Sequence, residues 1–324
     1  MEKERVLIIK TGYSEILDVE NHLKKVSLGD ILRSTALLNL YKKSNVTWLT
    51  DKSAFPLLKQ NKYIDRLLYL DFENAIHLLD EEFDTLINLE KDKDICRFAN
   101  KIDAWNKKGF RFDRKLGKTG AFDNAFDILS LSISPHLKKN NLQTAQKLLF
   151  EIVGKKWEEE EYVLGYKPNN KEIYDVGLNT QIGPKWPIKS WSKKNWDELE
   201  SILVKDGLKV SRQDKQSDEI LTNLNKYIDW IDSCRLVATN DSLGMHLGIA
   251  LKKKVLGLFG PTPHKEVHFY GRGKAILPEG YKKCIPCFDV RCNEEELCME
   301  SISPKTVYKE VKNLLKNEVE SSLY

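Results

Sequence analysis

Short apolar runs, each followed by an amphipathic stretch, recur in two blocks of this chain, and that repeated alternation restricts the fold more than any other feature. RVLIIK (5–10) opens the first block as a continuous apolar run, the pattern of a strand buried on both faces of a parallel sheet. Leu28, Ile31, Leu32, Thr35 and Leu38 then fall near helical spacing, with Ser27 just ahead as a cap. VTWLTD (46–51) reads as a second strand, SAFPLLKQ as helical, IDRLLYLD (64–71) continues the alternation, and FDTLINLE (83–90) fits a further strand. Residues 91–165 are rich in Lys, Asn and Asp, lack a clear strand pattern, and read as helices and loops, including NNLQTAQKLLFEIVG (140–154).

GKKWEEEEYVLGYKPNNKE (154–172) shifts to charged composition punctuated by Gly and Pro, as a linker would. The alternation then restarts. IYDVGLN, LKVSRQ, RLVATND and KVLGLFG read as strands; SKKNWDELESILVKDG, closed by Gly207, LNKYIDWIDSC and LGMHLGIALKK read as helices. SPKTVYKEVKNLLKNEV is the last helix, capped by Ser303 with Pro304 at its first position. Alternation of this kind builds right-handed parallel α/β sheets. At 324 residues the chain exceeds what one core usually supports, so the reading is α/β with two domains, 1–165 and 166–324, facing each other across a cleft.

Charged residues make up 31% of the chain but nearly cancel, to a formal +4, too weak a bias to argue for nucleic acid by itself, and no nucleic-acid partner is expected. The opening MEKERVLIIK carries no signal-peptide pattern, and no stretch reaches the roughly 20 apolar residues that span a bilayer, so a cytoplasmic protein is expected.

Three constellations carry chemistry. In VATNDSLGMHLGIA (237–250) a strand ends in Asn240 and Asp241, and the next helix opens with Ser242, Leu243 and Gly244, with His246 one turn in. Such a helix start offers free N–H groups and a positive dipole end to an anion, and Gly244 allows a phosphate to come close. The plainer alternative is a capping Asp241 or Ser242 and a packed His246. In GPKWPIKSWSKKNW (183–196), Lys185 and Lys189 could place a point charge on a phosphate, or simply lie in a solvated loop whose Trp191 and Trp196 pack on the sheet. In VSLGDILRSTALLNLY (26–41), Ser27 and Gly29 precede Asp30 in the first helical turn, where the dipole favours a carboxylate. The same carboxylate could serve as a base toward an acceptor hydroxyl; the residues alone leave both roles open.

Taken in order, these stretches resemble glycosyltransferase family 9, the bacterial ADP-heptose:lipopolysaccharide heptosyltransferases. The matching stretches are SLGD with STALLNLYKK, VTWLTDKSAFPLLKQNKYIDRLLYLD, PIKSWSKKNWDEL, ATNDSLGMHLGIALKKKVLGLFGPTPH and CIPCFDVRCNEEELCMESISPKTV. Two departures stand out: an additional segment, TGYSEILDVENHLKK (11–25), precedes SLGD, and the usual glycine-rich stretch after LKVS is shortened to RQDKQSD. The resemblance implies a GT-B fold of two Rossmann-like domains, the first binding the acceptor and the second the nucleotide sugar. It further implies inverting, metal-independent transfer with Asp30 as base. Lys189 and the helix starting at Ser242 would stabilise the departing diphosphate, and Asp241 and His246 would orient the donor. ADP-heptose is the implied donor, and a lipopolysaccharide-core or other surface saccharide, lipid-linked or not, the implied acceptor. A lipid-linked acceptor would bring the protein to the inner face of the membrane, where Lys24, Lys25, Lys138 and Lys139 could assist.

Cys284, Cys287, Cys292 and Cys298 are spaced like a zinc knuckle and could close a tetrahedral structural site around Zn²⁺ or iron, with no part in the reaction. The alternative is four reduced thiols. Competing functions are a GT-B transferase or epimerase using a UDP-type sugar, and a non-catalytic sugar-nucleotide-binding protein.

Overall fold

The computed structural model describes residues 2–13, 26–183, 186–281 and 283–321. It divides into two compact units, Met1–Tyr166 and Lys167–Tyr324, each built around its own sheet.

In the first unit the strands are β1 (Arg5–Ile9), β2 (Asn45–Thr50), β3 (Arg66–Tyr69), β4 (Glu82–Asn88), β5 (Asp103–Asp113) and β6 (Lys118–Ala121), in the order β3-β2-β1-β4-β5-β6. All neighbours run parallel except β5 and β6, which form an antiparallel hairpin. Val6, Leu7, Ile8 and Ile9 are all fully buried, because helices cover both faces of the sheet and neither side of β1 meets water. Leu7, Ile9, Leu49, Phe83 and Leu86 pack with Ile95, Ala99 and Ile102 on one side.

Two expectations need correction here. Residues 103–113 and 118–121, read as helix or loop, are strands. β5 is Lys-rich and much of its first half is exposed, as suits the outer part of a sheet, so it lacks the apolar run that marks a buried strand. The single helix read from Leu28 is an α-helix only over Leu28–Ser34 and tightens into a 3₁₀ helix over Thr35–Tyr41. Ser34 and Thr35 bond their hydroxyls to the carbonyls of Ile31 and Leu32, 2.7 and 2.6 Å away, and so compete with the α-helical ladder at that point.

The second unit has β7 (Tyr174–Asn179), β8 (Val210–Arg212), β9 (Cys234–Asn240), β10 (Lys254–Leu258) and β11 (Gly273–Ile276), all parallel, in the order β11-β10-β9-β7-β8. The helix Lys193–Lys205 ends at Gly207, whose φ of +81° is the left-handed stop a glycine adopts without strain. The last helix, Pro304–Ser321, starts as expected, with the Ser303 hydroxyl accepting from the Thr306 N–H at 3.1 Å. Trp191 and Trp196 stack edge to face at 4.8 Å within the core that these helices close over β7, β9 and β10.

The strand orders locate the sites. Each is a doubly wound order that reverses direction once, and ligands of such sheets bind outside the carboxyl ends of the strands at the reversal. In the first unit the reversal lies between β1 and β4; in the second it lies between β7 and β9.

Candidate active site

In the second unit, Asn179 ends β7 and Asn240 ends β9, so the residues that follow occupy the reversal point. Asp241 is its centre. Its Oδ2 accepts from Lys189 Nζ at 2.8 Å and from the Thr262 hydroxyl at 2.7 Å. Burial alone would raise the Asp241 carboxyl, but the charges of Lys189 and His246, with the hydrogen bonds from Lys189 and Thr262, outweigh it and hold the group below the usual carboxylate range. Lys189 lies in a 3₁₀ turn, Pro187–Lys189, with its ammonium 5.2 Å from the Trp186 ring centroid. Lys189, Asp241, Ser242, Gly244 and His246 are thus brought to one end of one sheet. Lys185 lies outside the described residues.

Ser242 stands at the N-cap of the helix Leu243–Ala250, yet its hydroxyl makes no cap bond and instead accepts from Asn179 Nδ2 at 2.9 Å. Asn179 is fully buried, also donates to the Thr239 hydroxyl at 2.8 Å, and accepts from the Tyr227 hydroxyl at 2.5 Å. This network also bears on Gly244. A Cβ there would run into the Asn179 amide and the Tyr227 hydroxyl, so the network leaves room only for a glycine unless those side chains shift. His246 is buried on the same helix.

In the first unit, Ser27 N–H donates to the Gly12 carbonyl at 3.0 Å, which sets the helix Leu28–Ser34 directly behind the carboxyl end of β1. Ser27 is the N-cap residue, but its side chain makes no cap bond, correcting the expected capping role. Asp30 sits in the first turn beside Gly29 and pairs with Arg33 at 2.8 Å. At the reversal point itself, Lys10 and Glu90 form a buried ion pair at 3.1 Å, and Glu90 also accepts from the Gly12 N–H at 2.7 Å. Burial, with the charges of Lys10 and Lys138 added and those of Asp30 and Glu90 opposing, pulls the Lys91 ammonium down to about 8. The segment 14–25, with Lys24 and Lys25, lies outside the described residues.

Cys284, Cys287, Cys292 and Cys298 line one small pocket with Ile188, Tyr281 and Leu297. Their donor set suits a thiophilic metal, but among the described residues no three His, Cys, Asp or Glu side chains are arranged to hold one. Burial pushes the Cys298 thiol up to about 11, with repulsion from the other three cysteines adding to it, and burial also raises Cys287.

Residue reading missed Thr262, Asn179, Tyr227 and Arg33. Thr262 lay inside the quoted GLFGPTPH stretch, so a signal was present; Tyr227 occupies an ordinary position on an amphipathic helix and gave none.

The model of glycosyltransferase family 9 (heptosyltransferase) matches residues 77–298, more than half of the chain. That span holds all the second-unit residues above and begins after Asp30. Lipooligosaccharide heptosyltransferase 2 of Campylobacter jejuni subsp. jejuni is 31% identical over 122 residues, 37% of this chain and 37% of that protein. The match thus spans little more than a third of that curated relative's length. Among solved structures, a glycosyl transferase family 9 protein from Veillonella parvula DSM 2008 matches at a TM-score of 0.68 with 16% identity, covering 98% of each chain. E. coli heptosyltransferase WaaC with ADP matches at 0.63 with 12% identity, covering 96% of this chain and 99% of that one. At these identities the likeness establishes the fold, which is GT-B. With more than half of its length matched by the family model, the chain belongs to glycosyltransferase family 9.

Proposed function

We propose that this protein is an inverting glycosyltransferase that moves heptose from ADP-heptose to a saccharide acceptor of the lipopolysaccharide core or a related surface glycan. The observation that carries the reading is the Lys189–Asp241–Thr262 cluster at the reversal point of the second sheet. A nucleoside diphosphate there would meet the Lys189 ammonium and the first N–H groups of the helix Leu243–Ala250. Both stabilise the negative charge that grows on the diphosphate as it leaves, which is where fixed donors contribute most. In the same reading Asp30 takes the proton from the acceptor hydroxyl. The oxygen attacks the anomeric carbon from the face opposite the diphosphate, the carbon–oxygen bond to the diphosphate breaks, and ADP departs with the electron pair. No step calls on a metal.

The relatives' name, lipooligosaccharide heptosyltransferase 2, and the ADP bound by E. coli WaaC support heptose and ADP over other sugars and nucleotides. For the acceptor we read a lipid-linked saccharide. Phe126, Ile133 and Leu137 are exposed large apolar side chains, and Lys138 and Lys139 follow on the helix Pro135–Asn140, a mixture that suits an anionic membrane face. Among the described residues no helix is long and apolar enough to cross a membrane.

Replacing Asp30 with Asn tests the assignment. Transfer from ADP-heptose should fall by about 10² to 10⁴ in kcat, the usual contribution of a positioned base, with ADP affinity unchanged. Turnover within a few fold of the wild type would remove Asp30 from the mechanism.

A further inference from the structure

The 3₁₀ turn that carries Lys189 has to be braced if its ammonium is to stay against Asp241. Two residues on, Trp191 is buried; its backbone N–H donates to Asn240 Oδ1 at 3.2 Å and its indole N–H to the Ile302 carbonyl at 3.0 Å. Ser192 then caps the helix Lys193–Lys205, its hydroxyl accepting from the Asn195 N–H at 3.3 Å. In a capping box the residue at the third helical position reaches back to the N–H of the cap residue. Here that position is Asn195, and the reciprocal acceptor comes from elsewhere in the chain. Glu300 accepts from Ser192 N–H through Oε1 at 3.1 Å and from Asn195 Nδ2 through Oε2 at 3.0 Å.

Glu300 belongs to the 3₁₀ turn Cys298–Ser301, at the end of the cysteine-rich segment. The same segment grips the loop that bears Thr262. Phe288 N–H donates to the Pro261 carbonyl at 2.9 Å, and a Cβ on Gly260 would lie 2.7 Å from Met299 Sδ and 2.9 Å from Cys298 Sγ. Ile188, adjacent to Lys189, lines the thiol pocket. Neighbours of both hydrogen-bond partners of Asp241 therefore contact the same segment.

We propose that Glu300 is a positioning residue for the donor's diphosphate, acting through Lys189 by completing the cap of the helix that follows it. The inference rests on the donor reading above. The cysteine-rich segment then has a role that needs no metal: it is the frame from which Glu300 reaches the donor turn.

Calorimetric titration of the full chain with ADP and with adenosine separates positioning from general damage, because adenosine lacks the diphosphate that Lys189 would meet. Glu300→Ala should weaken ADP tenfold or more and adenosine less than twofold. Glu300→Gln, which keeps one acceptor oxygen, should fall between, and it carries the test should the alanine variant not fold. In a Lys189→Ala background, Glu300→Ala should cost nothing further, since residues acting as one unit are not additive. Equal weakening of ADP and adenosine, or the same loss with and without Lys189, overturns the proposal. A wild-type chain that binds no ADP overturns the donor reading itself, and this inference with it.

Discussion

Glu90 is fully buried and ion-paired with Lys10, and the next residue is Lys91. Burial favours the neutral amine, so Lys91 titrates near 8 in the folded chain against its ordinary 10.5. Between those values the unfolded chain holds the extra proton, so stability rises with pH through this window; below about 8 the ammonium is charged in both states and the folded state bears its desolvation. Urea unfolding of the wild type and of Lys91→Met across that range should show the wild type gaining relative to the variant as pH rises. A constant difference would mean Lys91 is not perturbed. At this scale Asp241, Lys189 and Asp30 stand out in the sequence as charged residues at the starts of helices or in the loops that follow strands. Their partners are unevenly legible: Arg33 stands three residues from Asp30 on one helix, 2.8 Å away, whereas Thr262 meets Asp241 at 2.7 Å across 21 residues of chain.

Elements were legible where they are buried. β1, β9 and β10 carry short apolar runs and β4 an apolar centre, so they are legible as strands, whereas β5 and β6, polar at the outer side of their sheet, are not. The four-residue β11 was missed too, since GKAI is too short to show a period. At Gly244 the lack of a side chain also serves the contact between its helix and the Asn179–Tyr227 pair. Gly244→Ala should therefore destabilise the chain by about 1–3 kcal/mol in equilibrium unfolding, the usual cost of overpacking. A variant as stable as the wild type would show that the helix shifts freely and that the packing account is wrong.

For the whole molecule, the alternation of strands and helices called for two α/β sheets, but it could not order the strands, because order depends on which edge each crossover returns to. That order places Lys10 and Glu90 at one reversal point and Asn179 and Asp241 at the other. The transfer proposed for the chain requires the second of these to hold the ADP portion of the donor. Thermal unfolding of the purified chain with ADP, UDP, GDP, CDP or NAD at equal concentration tests it most directly. At about 100 times its dissociation constant a ligand adds about 2.7 kcal/mol, enough to raise Tm visibly. A shift with ADP and none of comparable size with the others is expected; a shift with UDP in place of ADP, or with no nucleotide at all, would rule out an ADP-sugar donor.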